Sequence, residues 1–169
     1  MRFLKALFGC KSSQNKSSKA SIQSSARVIT GLKSFPLDVV GESHYQDALR
    51  QIAGGYRRDS QTLAVTAAIA LDPDNQFDPH AVRVEIDGQT VGFIPAKQAH
   101  RVGGFMRDQG VDSAGVEAQV RGGWRTNQYD QGHFGVRLKM PQSGWIDFGV
   151  GAEKPKAKSR KAASERKPN

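Results

Sequence analysis

Apolar and polar residues alternate along four stretches of this chain. Leu63, Val65, Ala67 and Ile69 occupy every second position between Thr62 and Leu71; Val82, Val84 and Ile86 follow after a break. Val116, Ala118 and Val120, then Phe134, Val136 and Leu138, repeat the pattern. A period of two predicts strands with one buried face. An apolar run from Leu37 to Val40 predicts a first strand, and Asp87-Gly88 predicts a tight hairpin leading into Thr90–Ile94. Helical spacing appears twice. Ser43 is a good N-cap for a helix from His44 to about Ala53, closed by Gly54-Gly55. Pro95 suits the first turn of a second helix carrying Ala99, Val102, Phe105 and Met106, with Gly103-Gly104 weakening its middle. Tyr56 to Ser60 and the polar stretch Trp124 to Gly132 read as loops. About six strands and two helices predict a mainly β domain, a small OB-like antiparallel barrel or curled sheet with a helix plugging one end.

Charge sharpens the boundaries. The 169 residues carry a formal net charge of +9, but residues 1–31 hold six Lys or Arg and no acid, and residues 151–169 hold seven bases and two acids. The segment between them has 12 bases against 14 acids. A domain over 32–148 is therefore close to neutral, flanked by a Ser- and Lys-rich basic N-terminal segment, 1–31, and a basic tail, 149–169. Both ends have too few apolar groups to offset the entropy of folding. A neutral domain must recognise a polyanion by local contacts, because phosphate neutralisation supplies most non-specific affinity. Within the first segment, MRFLKALFGC places Phe3, Leu4, Leu7 and Phe8 near one helical face beside Arg2 and Lys5. Residues 1–12 thus suit contact with an anionic membrane surface, a frayed amphipathic start or a small partner-docking helix, and are too short to span a bilayer.

The raw material for catalysis is poor. The single cysteine, Cys10, excludes an internal disulfide framework and fits a reducing, cytoplasmic setting. His44, His80, His100 and His133 fall in no HExxH, HxE or CxxC spacing, and the Gly-Gly pairs lack the following GK[ST] of a phosphate-binding loop. No metal, cofactor or catalytic set is predicted.

The informative stretch is the loop Asp72-Pro73-Asp74-Asn75-Gln76-Phe77-Asp78-Pro79-His80 between two strands. On one reading the two Asp-Pro steps form turns, Asn75 and Asp78 bond nearby backbone amides, and Phe77 packs under the loop. On the other, Phe77 offers a stacking face, Asn75 a donor and acceptor, and Asp78 a carboxylate. Such a carboxylate accepts a hydrogen bond from a free sugar hydroxyl and repels phosphate, which suits a strand end. Tyr45 and Tyr56 are further stacking candidates, Arg57 and Arg58 phosphate candidates, and Phe93 lies beside the hairpin. Their structural alternatives are a core position for Tyr45 and Phe93, a helix-end cap for Tyr56 and a solvated loop for the arginines.

Three ordered segments, FPLDVVGESHY, LDPDNQFDPHAVRVEIDG and VGFIPAKQA, resemble the HIRAN domain family over roughly Phe35 to Phe105. The resemblance implies an OB-like barrel that binds single-stranded DNA through a free 3′-hydroxyl, as in proteins of DNA repair. It implies a pocket lined by Asn75, Phe77 and Asp78, with His80 where an asparagine is common. The first strand departs from the family pattern: members carry adjacent tyrosines there, whereas this chain has Asp38-Val39-Val40 and, later, Tyr45. Helicase and RING functions belong to other modules of larger members and are not implied. The expected function is non-enzymatic binding of single-stranded DNA. Its rivals are a protein-interaction or membrane-surface adaptor using residues 1–12, and a hydrolase acting on a nucleic-acid end with the histidines and Asp78.

Overall fold

A computed structural model describes residues 26–150. The amphipathic start, most of the N-terminal basic segment and residues 151–169 lie outside the described residues. The chain folds as β1 (Leu37–Asp38), a 3-10 turn (Glu42–Tyr45), α1 (Gln46–Ile52), β2 (Gln61–Leu71), β3 (Val82–Ile86), β4 (Gln89–Phe93), α2 (Ala96–Asp108), β5 (Ser113–Gly122), β6 (Arg125–Asn127), β7 (Asp130–Gln131) and β8 (Phe134–Leu138). Six strands form one antiparallel sheet in the order β1-β8-β5-β2-β3-β4. The architecture is mainly β with two helices, and the sheet curls like a barrel, as the alternation predicts.

The curl is completed at one point. Just beyond β1, Val40 bridges Phe93 at the end of β4, the N–H of each donating to the carbonyl of the other at 2.9 Å. The two edges meet only because residue 92 has no side chain. A Cβ on Gly92 stands 2.5 Å from Val39 Cγ1 and 2.6 Å from the Val40 carbonyl oxygen. The bridge pairs these two edges at one point, where open strand borders would otherwise invite association.

Residues at every second position fill the interior. Val82, Val84 and Ile86 of β3, Val116, Ala118 and Val120 of β5, and Phe134, Val136 and Leu138 of β8 are all buried. Ala99, Val102 and Met106 of α2 close one side, and Met140, Ile146 and Phe148 extend the core past β8. Burying each large side chain contributes roughly 1.5–3 kcal/mol. The alternation overreaches at one place: Leu63 is 37 % exposed, on the half of β2 that extends past its pairing with β3.

Several expectations change in detail. Ser43 caps no helix. The chain turns at Gly41 (φ 82°), passes through the 3-10 turn, and starts α1 at Gln46 without a side-chain cap at either start. Side chains there serve β8 instead: Glu42 Oε1 accepts from the Val136 N–H at 3.3 Å, and the Gln46 amide exchanges two 2.9 Å bonds with the Phe134 backbone. Burial pushes the Glu42 carboxyl above its ordinary value, against the opposing pull of the backbone N–H groups of Glu42 and Val136. Pro95 precedes α2 rather than opening it, and the helix runs unbroken through Gly103-Gly104, with Gly103 buried against Leu71.

The stretch Trp124–Gly132 is not a plain loop, since β6 and β7 form a small exposed hairpin within it. The folded unit also begins before residue 32. Ala26 is buried, Arg27 and Ile29 donate to the carbonyls of Phe148 and Asp147, and Val28 donates to that of Gly115. Gly54-Gly55 ends α1 as expected, both with positive φ, the Gly55 N–H donating to the Arg50 carbonyl at 2.8 Å. Among the described residues no helix is long and apolar enough to cross a membrane.

Candidate nucleic-acid interface

The 72–80 loop is held by its own short polar side chains. Asn75 Nδ2 donates to Asp72 Oδ2 at 3.1 Å, and Asn75 Oδ1 accepts from the N–H groups of Phe77 and Asp78 at 3.0 and 3.2 Å. Asp78 Oδ1 accepts from the His80 N–H at 2.8 Å, and the Asp78 carbonyl accepts from Ala81. At the base, the Asp72 N–H donates to the Ala81 carbonyl. The Arg83 guanidinium there binds Asp72 at 3.0 Å and Glu85 at 2.8 Å. Asn and Asp favour such turns because their side chains substitute for backbone partners.

The turn reading of the loop is realised in part. Asn75 and Asp78 bond backbone amides, but Phe77 does not pack underneath: its side chain is 97 % exposed. Asn75 Oδ1 is already used twice, which weakens its case as a ligand acceptor. Among the described residues no donor reaches Asp78 Oδ2, so one oxygen of the carboxylate has no partner.

Phe93 and Tyr45 belong to the same end of the sheet. Phe93 stands opposite Arg83 in the ladder, and its half-buried ring lies 6.4 Å from that of Tyr45 at an angle of 55°. Val40 beside them at the seam is 43 % exposed. His80 is exposed and its ring meets that of His100 from α2 edge-on at 4.7 Å. His80 meets neither His44 nor His133 there, and among the described residues no three His, Cys, Asp or Glu side chains gather to hold a metal.

Tyr56, Arg57 and Arg58 are elsewhere. They precede Gln61 of β2, whereas the loop follows Leu71, so roughly 35 Å of extended strand separates the groups. The three line an open cleft of about 870 Å³ with Arg50, Gln51, Gly54, Gly55, Arg125 and Thr126. Tyr56 is not a free stacking face, since its ring packs on Phe134 at 5.2 Å and carries the Arg125 guanidinium at 4.4 Å. Its role is to place Arg125 through a cation–π contact. The Arg57 backbone ties the loop to the hairpin, its N–H donating to Gly123 and its carbonyl accepting from Arg125.

Arg50 and Arg125 escaped the sequence reading, and His100 entered it only as one of four scattered histidines. Arg50 carried one faint signal, its place in the last turn of a helix ending beside Arg57. Arg125 and His100 had none, because a polar hairpin and a helix surface give no periodic mark of what they face. Comparison of the chain with family models, characterised proteins and solved structures finds no match.

Proposed function

We propose that this protein is a non-enzymatic module that binds single-stranded DNA and grips a free 3′ end at the 72–80 loop, serving as an adaptor or end sensor. The observation that carries this reading is Phe77. Leaving such a ring in water forgoes roughly 1.5–3 kcal/mol of burial, and the hydrogen bonds inside the loop hold its backbone in a turn that leaves the ring outside. An exposed aromatic is a platform for a base, and stacking contributes about 1–3 kcal/mol per base with little dependence on sequence.

Asp78 next to the platform supplies the end preference. Its remaining oxygen accepts from a sugar hydroxyl and opposes a terminal phosphate. Two unit charges 4 Å apart repel by about 1 kcal/mol in water and about 4 kcal/mol near a protein surface. A tenfold preference, about 1.4 kcal/mol, falls inside that range. The resemblance to the HIRAN family points to the same residues, and Tyr45 and Phe93 at the same end of the sheet extend the apolar surface for a second base.

Titrating short labelled strands with the full chain and its Phe77 variants tests the reading. Phe77→Ala should weaken binding at least fivefold while Phe77→Tyr retains it. Equal affinity of all three proteins would remove the loop from the interface.

A further inference from the structure

The densest positive charge on the described surface lies away from the loop. Arg50, Arg57, Arg58 and Arg125 converge on one cleft whose lining contains no Asp or Glu. Among the described residues, Arg57, Arg58 and Arg125 make no ion pair. Arg50 binds Asp47 at 3.1 Å, but that pair is largely exposed and weakly held. Arg125 is fixed in place by the Tyr56 ring and by the uncharged Gln131 Oε1. Three of these four guanidinium groups stand without a carboxylate partner, so the cleft is electropositive and suits an anionic occupant.

We infer that this cleft is a second binding site, which takes backbone phosphates of the strand whose end sits at the loop. The identity of the strand rests on the reading proposed above; the phosphate chemistry does not. Guanidinium forks match phosphate oxygens in paired hydrogen bonds. The cleft is open at the surface, which suits an extended backbone running through it. Tyr56 is already covered by Arg125, so the contact reads phosphates and not bases.

The protein is then a two-point binder. The sites stand at opposite ends of the β2–β5 ladder, beyond the pair Gln61↔Gly122 and beyond the pair Ala70↔Ser113. A stacked strand, at about 3.4 Å per nucleotide, needs roughly ten nucleotides to span that length, and a 5-mer, at about 17 Å, falls short of it. Linking two contacts on one ligand raises affinity sharply once the ligand reaches both.

The test uses the full chain, oligothymidines of 5, 10 and 20 nucleotides, and a salt series. Arg57→Gln/Arg58→Gln is the variant, since both side chains are exposed and its melting temperature should match the parent's. The parent should bind the 20-mer at least tenfold tighter than the 5-mer. The variant should lose most of that gain, and its salt slope on the 20-mer should fall by about 1.4, or about 0.7 per phosphate contact on single strands. An unchanged slope and affinity on the 20-mer would overturn the second site while leaving the loop reading intact. A loss equal on 5-mer and 20-mer would overturn the two-point arrangement. If the variant flattens the slope while Phe77→Ala changes nothing, the cleft stands and the loop reading falls. Failure of the parent to bind any strand would overturn both.

Discussion

The side-chain amide of Gln46 pairs with the backbone of Phe134 as a neighbouring strand would, Nε2 donating to the Phe134 carbonyl and Oε1 accepting from the Phe134 N–H, at 2.9 Å each. β1 is only two residues long and leaves the start of β8 without a partner on that side. The amide fills the gap and ties α1 to the sheet. Gln46→Ala leaves the N–H and carbonyl of Phe134 unpaired, each costing about 1–3 kcal/mol if water cannot replace the partner. Thermal denaturation should show a loss of about 2 kcal/mol or more, and amide exchange at Phe134 should accelerate. An unchanged melting temperature would mean that water serves equally well.

Glu42, one turn earlier, gives a pH signature. Burial raises its folded pKa above the unfolded value. The fold therefore favours the protonated form: the contribution is fully present below the unfolded carboxyl pKa and is lost as pH rises through the folded pKa. At neutral pH the ionised carboxylate works against stability. Glu42→Gln should raise the melting temperature at pH 7 and confer no gain at pH 3, where the parent carboxyl is already neutral. A lower melting temperature at pH 7 would mean that the charge-assisted bond from the Val136 N–H outweighs desolvation.

Gly92 is the position on which closure of the sheet depends. In Gly92→Ala the new methyl meets the Val40 carbonyl and Val39 Cγ1, so the Val40–Phe93 bridge must open or the strands shift. Overpacking of this kind costs about 1–3 kcal/mol. Calorimetry should record a melting temperature several degrees lower, with self-association at high concentration as the freed edges become available. Parent-like stability would show that the seam is slack.

Asn75 and Phe77 separate scaffold from contact. Asn75→Ala removes three hydrogen bonds that shape the loop and should lower both stability, by about 1–2 kcal/mol, and strand affinity. Phe77→Ala removes a ring that touches solvent and should lower affinity alone. Parallel melting and binding curves distinguish them, and a stability loss in Phe77→Ala would mean the ring supports the fold.

Most of the sheet was legible because burial on one face imposes a period of two, and Val82–Ile86 or Phe134–Leu138 show it without interruption. The β6–β7 hairpin was not, because all its residues face water and no apolar alternation marks it. The 3-10 entry to α1 hid behind Ser43, a residue with good capping chemistry whose neighbours Glu42 and Gln46 are drawn to β8. The candidate site residues were largely found as residues but not as a site. Side-chain chemistry alone grouped Tyr56, Arg57 and Arg58 with the loop, whereas eleven residues of β2 hold them apart. The His80–His100 contact and the convergence of Arg50 and Arg125 depend on tertiary packing, which local spacing does not encode.

Recognition of a strand end at Asp78 is the central claim, and one comparison tests it most directly. The full chain and Asp78→Ala are titrated with two short strands that differ only in a 3′-hydroxyl or a 3′-phosphate, at a fixed salt concentration. The account predicts at least about tenfold tighter binding of the hydroxyl end by the parent, and a preference that shrinks toward unity in Asp78→Ala. Equal binding of the two ends by the parent, or a preference that survives the loss of the carboxylate, would contradict it.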